Sequence, residues 1–182
     1  MTTALAGAIE LLERSLGYTR GALVGVTDAR LAAATPCRDW TLGDLLAHMD
    51  DSLDAFTEAA GGNVALTHAS SVPQVMVLQQ KACALMGLWC DQVPPGVSVG
   101  GADLATDLLV ATAALEITVH GWDVAQATGE CTPIPEGLAR QLLPIAHRTV
   151  VDLDRGIRFA EALPEPVGAT ADARLRAFLG RP

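Results

Sequence analysis

Aromatic residues are scarce in this chain. One Tyr, three Phe and three Trp make up 4% of its 182 residues, so a core has to be built from Leu, Val, Ile and Ala. Lysine is nearly missing, with Lys81 the single one among twelve basic residues. Charged residues amount to 18%, below the usual quarter, which excludes a disordered chain or a charged coiled coil. The twelve basic residues face 21 acidic ones, for a net charge of -9. Such an acidic chain lacks the footprint of a phosphate-backbone binder, so nucleic acid is not an expected partner. No basic segment precedes an apolar stretch at the N-terminus, unlike a signal peptide. The longest uncharged stretch, which includes residues 64–80, holds Thr67, His68, Pro73 and Gln79 among other polar residues, too many for a bilayer span. None of Cys37, Cys83, Cys90 and Cys131 forms a CxxC pair. The expectation is therefore free thiols in a reducing cytoplasm. No GxSxG, Walker loop or dinucleotide fingerprint is present.

What remains is a pattern of helices with Gly and Pro punctuation. Leu5, Ile9, Leu12 and Leu16 predict a first helix over about residues 4–23. Residues 28–40 read as a connector with one short helical turn. Thr41 and Asp44 resemble a capping box opening a second helix, whose stripe is Leu42, Leu45, Leu46, Met49, Leu53 and Phe56. Gly61-Gly62 ends it. Pro73 suits the first position of a third helix that stops before Pro94-Pro95. The run 96–101 is glycine-rich and reads as a loop. The longest helix spans about 103–127, closed by Gly129. A fifth runs from Pro135 toward Asp154, with a kink at Pro144. A short last helix over 171–179 is capped by Thr170. No β-type alternation stands out. The expected fold is all-α, a four-helix bundle with a short extra C-terminal helix, forming one domain over 1–182.

Glu116 and His120 are four residues apart on the longest helix, about 40° apart in projection, with Asp123 between them in angle one turn on. Leu109 and Ala113 continue that face, so Glu116 points along the apolar stripe. A carboxylate placed there has to be paired or ligate a metal. His48, beside Leu45 and Met49 on the second helix, sits at the border of a second stripe. In a bundle, ligands converge from facing helices. His48, Glu116 and His120 would supply two imidazoles and a carboxylate, leaving positions open for water or substrate. That set suits zinc and fits nickel or iron(II) nearly as well. The plainer reading is a hydrogen-bonded pair at i and i+4 without metal.

The other candidates have plainer expectations. His68 reads as a solvated loop histidine. His147 reads as a structural histidine, with a fourth ligand as the alternative. Cys37 is either a small buried residue or a thiol near the metal. Cys83 and Cys90, one heptad apart, are expected to pack in the core. Trp40 and Trp122 are expected core aromatics near the proposed ligands. Arg38 and Asp44 receive no role in the site.

Residues 35–49, beginning Thr35-Pro36-Cys37 and continuing through Trp40-Thr41, Asp44-Leu45 and His48, resemble the "TPC..WT..DL..H" signature of DinB-like metal-binding proteins. The nearest group is related to the N-terminal domain of mycothiol-dependent maleylpyruvate isomerase. Glu116 followed by His120-Gly121-Trp122-Asp123 resembles its second signature, "E…HGWD". Arg158-Phe159-Ala160-Glu161 and the residues from Leu175 to the end resemble the tail of a compact actinobacterial subfamily. The resemblance implies a DinB-like bundle holding a divalent metal, usually zinc, at His48, Glu116 and His120. It also implies chemistry with a low-molecular-weight thiol such as mycothiol. The isomerase carries a further C-terminal domain, for which the roughly 60 residues after Asp123 leave no expected counterpart.

Two functions of different class follow as expectations. One is a metal- and thiol-dependent transferase or isomerase acting on a small electrophile, with Asp123 orienting a ligand or pairing with an arginine. The other is a non-catalytic bundle that binds metal or a small molecule as a structural element or sensor. A homodimer through one bundle face is compatible with the long apolar helices.

Overall fold

The computed structural model describes residues 2–61, 75–91, 96–99, 102–156 and 158–182. The helices are α1 (Thr3–Ala22), α2 (Leu42–Ala60), α3 (Val75–Asp91), α4 (Thr106–Thr128), α5 (Glu136–Thr149) and α6 (Ala171–Phe178). Two short strands, β1 (Gly96–Val99) and β2 (Ala102–Ala105), pair antiparallel, with Val97 opposite Leu104 and Ser98 opposite Asp103. The chain is mostly helical, and the expected all-α bundle is what forms. It divides into two compact units, Met1–Thr132 and Pro133–Pro182. The expected loop over 96–101 is corrected: its described residues are half of a hairpin. Val97 is fully buried there against α2 and α4. Strands of four residues are at the lower limit at which alternation argues for a strand. The hairpin also moves the start of α4 to Thr106.

In the first unit α1 packs against α4 and α3, and α2 packs against α3 and α4. The chain thus passes from α1 to α2, and from α3 to α4, between helices that are diagonal in the bundle. The core-facing side of α1 differs in detail from the expected Leu stripe. Leu5, Ala8, Leu12, Ser15, Thr19 and Ala22 are buried, whereas Ile9 and Leu16 are only half-buried. Small residues occupy that face because α4 comes close to it. The Thr19 hydroxyl donates to the carbonyl of Ile117 at 2.7 Å, and Gly121 of α4 lies opposite. A Cβ on Gly121 would stand 2.3 Å from Thr19 Oγ1 and 3.1 Å from its Cα. The guanidinium of Arg30, at the end of a short 3-10 turn, donates to the carbonyl of Thr128.

Helix α2 starts as expected. Thr41 and Asp44 form a reciprocal capping box, with Asp44 N–H donating to Thr41 Oγ1 at 3.2 Å and Thr41 N–H to Asp44 Oδ2 at 2.9 Å. Two more first-turn amides, of Leu42 and Gly43, donate to the carbonyls of Ala33 and Leu31. The orphan donors of the helix start are thereby largely satisfied. Lys81 of α3 bridges Asp50 and Asp54 of α2, at 2.7 and 2.8 Å. Gly129 ends α4 in the left-handed region, φ 76°, which glycine adopts without a Cβ penalty.

Helix α4 is buried on nearly all sides, as the central helix of a core is. Among the described residues it alone is long and apolar enough to cross a membrane, and 83% of its apolar window is buried inside the protein. Cys83 and Cys90 are exposed on α3, which corrects the expectation that they pack in the core. The side of α3 that faces its neighbours is supplied instead by Leu78, Leu85 and Trp89, leaving position 83 on the other side of the helix.

In the second unit α5 and α6 pack through Leu138, Leu142, Leu175 and Leu179. α5 continues through Pro144 and ends at Thr149, short of the expected Asp154. Thr170 caps α6 as expected.

Candidate functional site

The segment before α2 is folded around Thr35. Its Oγ1 accepts from the amide of Cys37 at 3.2 Å and lies 2.9 Å from the carbonyl of Trp40. Asp39 adopts φ 63° within this turn, a conformation Asp tolerates better than most residues. The result is a short strap that carries Cys37 and Trp40 to α2 and α4. The Trp40 ring lies over that of His48, with centroids 4.8 Å apart.

His48 projects from α2 and Glu116 and His120 from α4, and the three meet. His48 Nε2 is 2.7 Å from Glu116 Oε1, and His120 Nε2 is 3.1 Å from the same oxygen. One donor atom from each residue lies within 4.8 Å of the others. The other face of His120 meets Asp123, with Nδ1 2.9 Å from Oδ2. The Asp123 side chain is completely buried, while those of Glu116 and His48 are 28% and 36% exposed. Asp123 thus pairs with the histidine. The Cys37 thiol donates to Asp123 Oδ2 at 3.2 Å and lies 3.9 Å from His120 Nδ1.

Burial pushes the charged forms of Glu116 and His120 toward neutrality, but their mutual attraction outweighs it. Glu116 is held well below the usual carboxylate range by the charge of His120 and by hydrogen bonds from His120 and His48. His120 is held well above the usual imidazole range by the charge of Glu116 and by Asp123, Cys37 and Glu116 contacts. Without metal, the pair is therefore ionic. The sign for stability follows. The His120 contribution is complete below the unfolded histidine value of about 6.5 and is lost as pH rises through the higher folded value. The melting temperature of metal-free protein is expected to fall as pH is raised from about 6.5 through the higher folded value, and His120→Gln should flatten the fall. A flat profile for the parent chain would contradict the ionic pairing.

The metal-site expectation placed three residues, and all three converge. The structure adds three features that sequence reasoning left open or missed. Cys37 reaches the buried Asp123, Trp40 covers His48, and Gly121 sets the distance from α4 to α1. The signal for the first two was their place in the strap that directly precedes the His48 helix. Trp122 is buried as expected. His147 belongs to the second unit, where its ring packs at a tilt against that of Phe178, with centroids 4.0 Å apart. His68, expected as a loop histidine, lies outside the described residues, as does Pro73.

Fold and site together define a helical bundle with a His–Glu–His cluster between two facing helices. Residues 12–85 match the family described as mycothiol maleylpyruvate isomerase N-terminal domain. That stretch includes Cys37, Trp40 and His48 and ends before the α4 residues of the cluster. Two uncharacterized proteins of Mycobacterium tuberculosis, one from each of two strains, are similar to the chain. Each is 28% identical over 172 residues, which cover 87% of this chain and 89% of the relative. No solved structure matches it.

Proposed function

We propose that the chain binds one divalent metal ion through His48, Glu116 and His120 and uses it with a low-molecular-weight thiol. The reaction class is a transferase or isomerase acting on a small electrophile. The observation that carries this reading is the convergence of two imidazole nitrogens and one carboxylate oxygen from two helices. The donor set fits a metal. Ligands about 2.0–2.1 Å from a tetrahedral ion stand roughly 3.3 Å apart, close to the 2.7 and 3.1 Å separations present. Three protein donors leave room for an exogenous ligand. When bound, the metal would lower the pKa of a thiol ligand and make it a nucleophile near neutral pH.

The chain's own groups have definite tasks in this reading. Asp123 accepts the Nδ1 proton of His120 and so leaves the Nε2 lone pair free for the ion. Glu116 supplies the negative charge. Trp40 covers one side of His48 and limits water there. Zinc is the first choice of ion, and nickel or iron(II) fit the same donors. The free thiols of all four cysteines support a reducing compartment such as the cytoplasm.

Elemental analysis of protein made in metal-replete medium tests the proposal. About one equivalent per chain is expected, and His120→Ala should remove most of it. Metal-free parent protein would sink the reading and leave the cluster as a hydrogen-bonded network. If metal is present, consumption of a thiol and an electrophile by parent and His48→Ala protein separates an enzyme from a non-catalytic metal-binding bundle.

A further inference from the structure

His120 is placed between two donor sets, one on each ring nitrogen. Nε2 faces Glu116 and His48. Nδ1 faces Asp123 Oδ2 at 2.9 Å, with Cys37 Sγ at 3.2 Å from that oxygen and 3.9 Å from Nδ1. We infer that Cys37, His120 and Asp123 form a second metal site, for a thiophilic ion, whose occupancy excludes that of the first.

Its donors are one sulfur, one nitrogen and one oxygen, all within 4.8 Å of one another. A tetrahedral ion with bonds of about 2.3 Å to sulfur and 2.0–2.2 Å to nitrogen and oxygen sets them roughly 3.3–3.6 Å apart. The observed separations bracket that range. Asp123 is fully buried, so its carboxylate is fixed, whereas Cys37 is half-buried and leaves a path for entry. Thiolate draws soft ions, while the His48 side offers only nitrogen and oxygen. The two sets therefore sort ions by softness.

Exclusion follows from the proton count so long as His120 stays a neutral imidazole and does not bridge as imidazolate. A neutral imidazole carries one proton and one lone pair. An ion at Nε2 requires the proton on Nδ1, donated to Asp123. An ion at Nδ1 requires it on Nε2, donated to Glu116 at 3.1 Å. Loading the sulfur side releases the Cys37 thiol proton, and any second imidazole proton, to solvent. No oxidant is involved.

The test uses cadmium(II) as the probe. Cys83, Cys90 and Cys131 are exposed, so they are first replaced, as Cys83→Ser, Cys90→Ser and Cys131→Ser, in the full chain. One equivalent of cadmium should produce a sulfur-to-cadmium charge-transfer absorption. His48→Ala should keep it, and Cys37→Ser should lose it. Cadmium should also displace zinc one for one, so that the total stays at one ion per chain. No sulfur band in the parent background overturns the inference, as does a band that survives Cys37→Ser. Loss of the band in His48→Ala would put the sulfur on the ion held by the other set and overturn a separate site. Two ions bound together would overturn the exclusion. Far-ultraviolet dichroism of each variant checks that it is folded. Because His48→Ala removes only the first set, failure of the proposed zinc site and failure of this one give different patterns.

Discussion

Gly121→Ala is expected to destabilise the chain by about 2 kcal/mol, while Gly7→Ala stabilises it by up to about 1 kcal/mol. Both glycines lie inside helices, so both replacements gain helix propensity. They differ in what the new methyl meets. Gly7 has nothing within 4 Å of a built Cβ. At Gly121 that Cβ stands 2.3 Å from Thr19 Oγ1, 3.0 Å from its Cβ and 3.1 Å from its Cα. Turning the Thr19 side chain away breaks its bond to the Ile117 carbonyl and still leaves the backbone contact. The helices must therefore separate, and the clash outweighs the propensity gain. Denaturant midpoints at unchanged m-value measure both effects. Shifts of the same sign at the two positions would show that α1 and α4 are not held at the described spacing.

At the proposed zinc site, Asp123→Asn is expected to weaken binding by about 10- to 100-fold. Asn fills the same space and retains an oxygen that can accept from Nδ1. It lacks the negative charge that holds the Nδ1 proton in place, so the imidazole is a poorer donor at Nε2. Because Asp123 acts on the proposed ion through His120, the loss is expected in affinity, not in stoichiometry at saturating zinc. Competition against a chromophoric chelator reads it. An unchanged affinity would mean that Nε2 of His120 is not a ligand.

Much of this was legible in the sequence because local rules carry it. The Thr41/Asp44 box and the Gly129 cap are decided by neighbours within four residues. The i, i+4 step from Glu116 to His120 fixes a shared face whatever the rest of the chain does. His48 could be matched to them because its helix carries its own apolar stripe. The hairpin was not legible as strand. Four residues per strand are the fewest over which alternation argues for a strand, and within a glycine-rich run they read equally as loop. Cys83 and Cys90 were misplaced because α3 is apolar on more than one side, so composition does not say which side packs. The contact of Cys37 with Asp123 joins residues 86 apart. No pattern within a helix or a turn encodes a meeting of that kind. Nothing local explains Gly121 inside a helix, and only the approach of Thr19 shows why the position requires it.

The diagonal passage of the chain has a kinetic meaning. Thr19 meets Ile117 across 98 residues, and His48 meets Glu116 across 68. Helical bundles usually fold quickly because their contacts are local, and closing long loops slows that step. Here the tightest helix pair joins the first helix to the fourth. α1 therefore waits for α4 before most of its buried face is covered. On the ribosome, a chain stopped before residue 106 has neither partner face for α1 on α4 nor the carboxylate for His48. Assembly of the His–Glu–His cluster is then a late event, and the closing of that cluster reports completion of the four-helix bundle.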